Sequence, residues 1–103
     1  MKYRMSSAIA VQTDDAEAAR RFYGEVIGFT EKDGGFDAAP LTLYVDAPKR
    51  CDGALLELIV DDLDAARAHL EAHGCTVVRW EGRGRTCLVR DPFGVHYNLW
   101  LND

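Results

Sequence analysis

Apolar and polar positions fall along the chain in two alternating rhythms, and together they predict its elements. Ala8-Ile9-Ala10-Val11 and Leu55-Leu56-Glu57-Leu58-Ile59 are short apolar runs of strand length. A helical rhythm follows each run. Ala19, Phe22, Tyr23 and Val26 recur at i, i+3, i+4 and i+7, and Leu63, Ala66 and Leu70 recur on a comparable face. Gly28 and Gly74 close the two helices, since glycine enters the left-handed conformation at little cost. Further strands are predicted at Phe29 to Asp33, Leu41 to Asp46, Thr76 to Trp80, Thr86 to Arg90 and Val95 to Leu101. Asp33-Gly34-Gly35, Gly82-Arg83-Gly84 and Asp91-Pro92-Phe93-Gly94 read as turns, the last with Asp, Pro and Gly in their favoured places. The stretch from Gly35 to Pro40 has weak strand character.

These elements repeat. Displaced by 47 residues, Thr13-Asp14-Asp15-Ala16-Glu17-Ala18-Ala19-Arg20 falls on Val60-Asp61-Asp62-Leu63-Asp64-Ala65-Ala66-Arg67, with five of eight positions identical. The Asp pair starts each helix, because a carboxylate accepts from the free N–H groups of the first turn. Asp14 with Glu17 has the spacing of a capping box. The expected fold is α+β, with two βαβββ-type modules forming a curved, antiparallel-rich sheet. Its helices lie on the outer face and a cleft on the other. Module one covers about residues 6–47, a Pro- and charge-bearing linker about 47–53, and module two about 54–103. A cleft of that kind is the default place for a ligand.

The chain has 103 residues, which suits one domain, with 48% hydrophobic and 28% charged residues. Its net charge of −5 argues against nucleic acid as partner, and acidic residues interrupt the one basic concentration, Arg79, Arg83, Arg85 and Arg90. The sequence offers no membrane-spanning run and no apolar leader at its start, so a cytoplasmic location is expected. Cys51, Cys75 and Cys87 are odd in number and match no metal spacing; they read as small apolar fillers.

Asp15 through Phe22-Tyr23 to Val26-Ile27-Gly28-Phe29, then Val60-Asp61-Asp62-Leu63-Asp64, then Asp91-Pro92-Phe93-Gly94 before the last strand, occur in an order that resembles the vicinal oxygen chelate superfamily. That superfamily includes glyoxalase I, extradiol dioxygenases and bleomycin-resistance-type binding proteins. The resemblance spans about residues 6 to 101. It implies one divalent metal held by side chains from four strands. The corresponding positions here are Ala8, Leu55, Asn98 and, on the last strand of module one, Thr42 or Tyr44. Alanine and leucine cannot ligate, and Asn, Thr and Tyr are poor ligands for zinc, nickel or iron. The expectation is therefore no metal and no cofactor.

Strand alternation then gives a lining for the cleft. Gln12, Tyr44, Glu57, His96, Asn98 and Trp100 are the candidate ligand-binding residues, and the opposite phase (Ile9, Val11, Leu56, Leu58, Val60, Tyr97, Leu99, Leu101) should pack on the helices. Glu57 is the lone charge in its apolar run. It is either solvated or paired with an Arg such as Arg90, or else it anchors a cationic ligand or acts as general base. His96 is the other candidate acid or base. Trp80 could stack on a ligand or pack in the core. His69 and His73 stand one helical turn apart and could share a metal. The Glu between them is not placed as in HExxH and no third ligand is near in sequence, so the pair reads as a surface helix.

Three functions stay open. The first is a metal-independent small-molecule binding protein of the bleomycin-resistance type, an antibiotic-resistance type, holding an apolar or aromatic ligand, with or without a cationic group. The second is a glyoxalase-like lyase, isomerase or dioxygenase with an atypical or absent metal site. The third is a protein-interaction module. A homodimer is the expected assembly.

Overall fold

In the computed structural model, residues 2–80, 82 and 86–102 are described here. Arg83 and Arg85, and with them most of the turn expected at 82–84, lie outside those residues. The class is α+β, with eight strands paired mostly antiparallel and two helices. The chain divides into two compact units, Ser7–Leu55 and Leu56–Asp103, the latter joined by Met1–Ser6. Among the described residues no helix is long and apolar enough to cross a membrane.

The first unit holds β1 (Arg4–Gln12, from Ser7 onward), α1 (Ala16–Arg21) with a π-helical continuation over Phe22–Ile27, β2 (Thr30–Lys32), β3 (Gly35–Ala38) and β4 (Leu41–Asp46). Its strand order is β2-β3-β4-β1, with β1 and β4 parallel. The second holds β5 (Ala54–Val60, from Leu56 onward), α2 (Leu63–Ala72), β6 (Thr76–Arg79), β7 (Thr86–Arg90) and β8 (His96–Leu101), in the order β5-β8-β7-β6. Each unit thus places its first strand beside its fourth and its second at the edge. The sequence repeat is a repeat of topology.

The helix starts follow from the repeated Asp pair, with one change. Asp15 and Asp62 are the caps: their Oδ1 atoms accept from the N–H groups of Ala18 and Ala65, each at 3.0 Å. Asp14 makes no capping box with Glu17. Its Oδ1 instead accepts from Lys49 N at 3.0 Å and holds the following linker.

The end of the first helix departs further from expectation. Gly28 N and Phe29 N both donate to Tyr23 O, so the last turn is wider than an α-turn, and Gly28 closes it at φ +88°. Widening rotates the 3.6-residue stripe. Val26, expected inward, is 69% exposed, and Phe22 and Ile27 are exposed beside it. Tyr23 and Phe29 pack together instead, with Tyr23 also against Phe36.

The weak stretch after Gly35 is a strand. β3 pairs antiparallel with both β2 and β4. Gly35 has to be glycine there, since a Cβ would stand 2.5 Å from Leu43 O and 2.9 Å from the Tyr44 ring.

In the second unit α2 packs on β6, β7 and β8. Val60, Leu63, Ala66, Cys87, Val89 and Leu99 form a buried cluster, flanked by Tyr3, Leu58, Leu70, Val77, Trp80 and Tyr97. The β7–β8 turn is clamped by Asp91. Its Oδ1 accepts from Phe93 N and Val95 N, each at 2.9 Å, and its Oδ2 accepts from Tyr97 Oη at 3.0 Å. Desolvation works against the charged carboxylate, but these donors outweigh it and hold Asp91 below the ordinary carboxylate value.

Two outcomes follow. Gly35→Ala should destabilise the protein by about 1–3 kcal/mol or more, read from the urea midpoint, because backbone must shift to admit the methyl group. Because Asp91 has a lowered folded-state pKa, its contribution is present above the unfolded carboxylate value, about 4, and is lost as pH falls through the lower folded value. Unfolding midpoints of Asp91→Asn should therefore fall less than those of the parent between neutrality and pH about 2.

Candidate functional site

Each unit has one helix-covered face and one helix-free face, and the strand register says which side chains share the latter. In the first unit Ala8 stands beside Thr42, Ala10 beside Tyr44 and Gln12 beside Asp46. Phe36 and Leu43 are partners on the buried, helix-covered side, so Tyr44 points the other way, over Gly35. Gln12 is 7% exposed, and both ends of its amide are engaged. Its Nε2 donates to Asp46 Oδ2 at 2.8 Å and to Ala10 O at 3.3 Å, and its Oε1 accepts from Arg50 N at 3.1 Å. Arg50 in turn donates to Asp46 Oδ2 at 2.6 Å. Burial opposes ionisation of Asp46, yet the Gln12 amide and the Arg50 guanidinium hold its carboxyl below the ordinary value. Gln12 fastens the end of β1 to the linker, and its hydrogen-bonding groups are turned inward on the unit's own structure.

In the second unit Leu58 and Val60, Cys87 and Val89, and Tyr97 and Leu99 all join the helix-side cluster. Alternation then sends Glu57 and Ile59 of β5, Leu88 and Arg90 of β7, and His96, Asn98 and Trp100 of β8 to the helix-free face. The β7–β8 register sets Leu88 beside Asn98, Arg90 beside His96 and Thr86 beside Trp100. Glu57 is half-buried. Among the described residues it makes no ion pair, and Arg90 does not reach it. Asn98 Oδ1 is buried and, among the described residues, accepts no hydrogen bond. An orphaned carbonyl of this kind costs about 1–3 kcal/mol, which a donor on a ligand or a bound water would recover. Of the six expected lining residues, the second unit thus gathers four on one face: Glu57, His96, Asn98 and Trp100.

Trp80 belongs to the other side. It packs against the helix cluster, and the Arg67 guanidinium lies 4.4 Å from its ring centroid. Arg67 is held there by Asp64 at 2.6 Å and by Glu71.

Neither a nucleophile nor a metal set emerges from these groups. Burial raises the pKa values of all three thiols, with Cys87 pushed up to about 11, so none is primed as a thiolate. The metal positions implied by the resemblance do not fit a divalent ion. Ala8 offers no donor, Leu55 is a buried apolar side chain, and Asn98 and Thr42 or Tyr44 offer only weak neutral oxygens. Among the described residues no three His, Cys, Asp or Glu side chains converge on one point.

Comparison with known proteins bears on the fold and the family. A family model for the glyoxalase-like domain matches residues 8–100. A glyoxalase/bleomycin resistance protein/dioxygenase superfamily member from Vibrio splendidus matches in structure over 99% of this chain and 100% of its own, at 12% identity and a TM-score of 0.63. A hypothetical protein from Bacillus halodurans matches over 100% and 96%, at 10% identity and a TM-score of 0.61. An uncharacterised protein from Methanosarcina mazei does so over 100% and 95%, at 20% identity and a TM-score of 0.53. No curated protein matches the sequence. The family match covers most of the chain, and the structural likenesses agree with the fold it implies: the chain belongs to the glyoxalase-like domain family of the vicinal oxygen chelate superfamily.

Proposed function

We propose that this protein binds a small molecule without a protein-held metal at the family's usual position, and that the ligand is apolar or aromatic with a hydrogen-donating or cationic group. The observation that carries the reading is the buried, partnerless Oδ1 of Asn98 on the helix-free face of the second unit. Among the described residues it is an acceptor without a donor, on a face that also carries Glu57, another acceptor, and Trp100, a residue 36% exposed. Ile59, half-buried on the same strand face as Glu57, supplies apolar surface beside it. Two acceptors amid apolar and aromatic side chains suit an N–H or N–H⁺ group on a hydrophobic body. Ala8 and Leu55, which bear no ligating atom, support the metal-independent half of the reading.

A second reading uses the same residues as an enzyme. Glu57 and His96 lie on one face of neighbouring strands, and either could move a proton on a bound substrate. A homodimer belongs to the first reading, and Phe22, Val26 and Ile27 are exposed apolar side chains on the first helix that a partner copy would cover.

Native mass spectrometry of protein purified without chelator reports subunit count, metal and any retained organic ligand together. A metal-free dimer is expected. A divalent ion still bound one per chain in a Glu57→Gln/Asn98→Leu-sensitive manner would overturn the metal-independent reading. Trp100 fluorescence can then follow titration with planar aromatic amines and their neutral isosteres. Glu57→Gln should weaken the cationic probes by roughly tenfold or more, as for a hydrogen bond to a charged group, and leave the isosteres within about twofold. Asn98→Leu should weaken both sets. Equal affinities in the parent and both variants would remove this face as the binding site.

A further inference from the structure

We infer that the C-terminal end of α2 carries a second, peripheral cation site, in which His69 and His73 hold one borderline-soft divalent ion through their Nε2 atoms and Tyr3 positions His69. The sequence offers two histidines a helical turn apart with no third ligand nearby. The fold adds Tyr3, 66 residues away, and it fixes both rings.

Hydrogen bonding sets the His73 tautomer and accommodates the His69 tautomer that a metal needs. His73 Nδ1 lies 2.8 Å from His69 O, and a carbonyl can only accept, so His73 carries its proton on Nδ1. Tyr3 Oη donates its one proton to Ala66 O at 3.3 Å and lies 2.8 Å from His69 Nδ1. A metal on His69 Nε2 selects the tautomer whose Nδ1–H donates to the phenol oxygen, with the phenol proton turned to Ala66 O. Both rings then present an Nε2 lone pair. An imidazole whose other nitrogen donates to an oxygen is the arrangement that orients histidine metal ligands and raises their basicity.

Packing sets the separation. The His69 and His73 centroids are 4.6 Å apart, and the Tyr3 ring stacks on His69 at 5.9 Å with an interplanar angle of 19°. Metal–nitrogen bonds of about 2.0–2.1 Å on one tetrahedral ion place two nitrogens roughly 3.3 Å apart, a spacing within reach of rings this close. Both histidines are exposed, so water can complete the coordination sphere. The C-terminal end of a helix also favours positive charge. Imidazole pairs select copper, nickel and zinc over magnesium and calcium, and the affinity order should place Cu²⁺ above Ni²⁺.

The test is calorimetric titration of tag-free protein with CuCl₂, NiCl₂, ZnCl₂ and MgCl₂, with thermal unfolding followed in parallel. Expected are one Cu²⁺ per chain, weaker Ni²⁺ and Zn²⁺, no Mg²⁺, and a rise in unfolding temperature with Cu²⁺, because the ion binds the folded pair. His69→Ala and His73→Ala should each lower Cu²⁺ affinity by about tenfold or more, and Tyr3→Phe by about tenfold, the effect of an outer-shell partner. Circular dichroism of each variant confirms its fold. Undiminished Cu²⁺ binding in His69→Ala/His73→Ala overturns the site. Full affinity in Tyr3→Phe overturns the role of Tyr3. Retained binding in Glu57→Gln is expected, and it separates this site from any ion held on the helix-free face.

Discussion

A four-stranded sheet has two faces, and each unit of this chain supplies one helix. That imbalance is the constraint on which the remaining features depend. The helix-side phase of the strands is apolar because it must be: Val60, Cys87, Val89 and Leu99 are removed from water against Leu63 and Ala66. Their burial fixes the register, since a slip by one residue would send every one of them to the wrong side. Once register is fixed, the other phase is fixed as well. Glu57, His96, Asn98 and Trp100 share a face because their neighbours in the chain are core. The chemistry of that face is a by-product of the packing on the other.

The same logic bears on the positions at which the resemblance implies metal ligands. Ala8, Thr42 and Asn98 take no part in the helix-side cluster of the second unit, whereas Leu55 is itself a buried core residue. Asn98 illustrates the latitude. Its backbone pairs with Leu88 in an ordinary antiparallel ladder, while its side-chain oxygen is left without a partner. Stability is carried by the ladder and by Leu99 next door. An unpaired oxygen there costs stability, and the ladder and Leu99 sustain that cost.

Much of the architecture was legible because its determinants are local. Asp15 and Asp62 cap their helices by reaching three residues along the chain, and Gly28 ends one at a positive φ. The repeat of 47 residues is a repeat of such local signals. What escaped has a non-local cause. β3 contains Gly35, Asp37 and Ala38, which have little strand propensity, and it is a strand because β2 and β4 pair with it on either side. The wide turn at Phe22–Ile27 has no signature in spacing, so the face expected for Val26 was wrong by the rotation it introduces. Gln12 reads as a lining residue by phase, but Asp46 and Arg50, 34 and 38 residues on, take up its amide. Alternation located the shared face of Glu57, His96, Asn98 and Trp100, whereas the orphaned oxygen could only be found once neighbouring atoms were in place.

The Asp91 clamp has a mechanical consequence. Two backbone N–H groups and one phenol converge on a single carboxylate, and Gly94 N returns to Asp91 O at 3.1 Å, so the turn between β7 and β8 has little slack. Phe93 rides at its tip, 91% exposed. A ring on a stiff mount has already given up most of the backbone freedom that a floppy loop would lose on contact. Whatever surface meets Phe93 meets a fixed probe, and lengthening this hairpin by even one residue would break the clamp before it disturbed any core side chain.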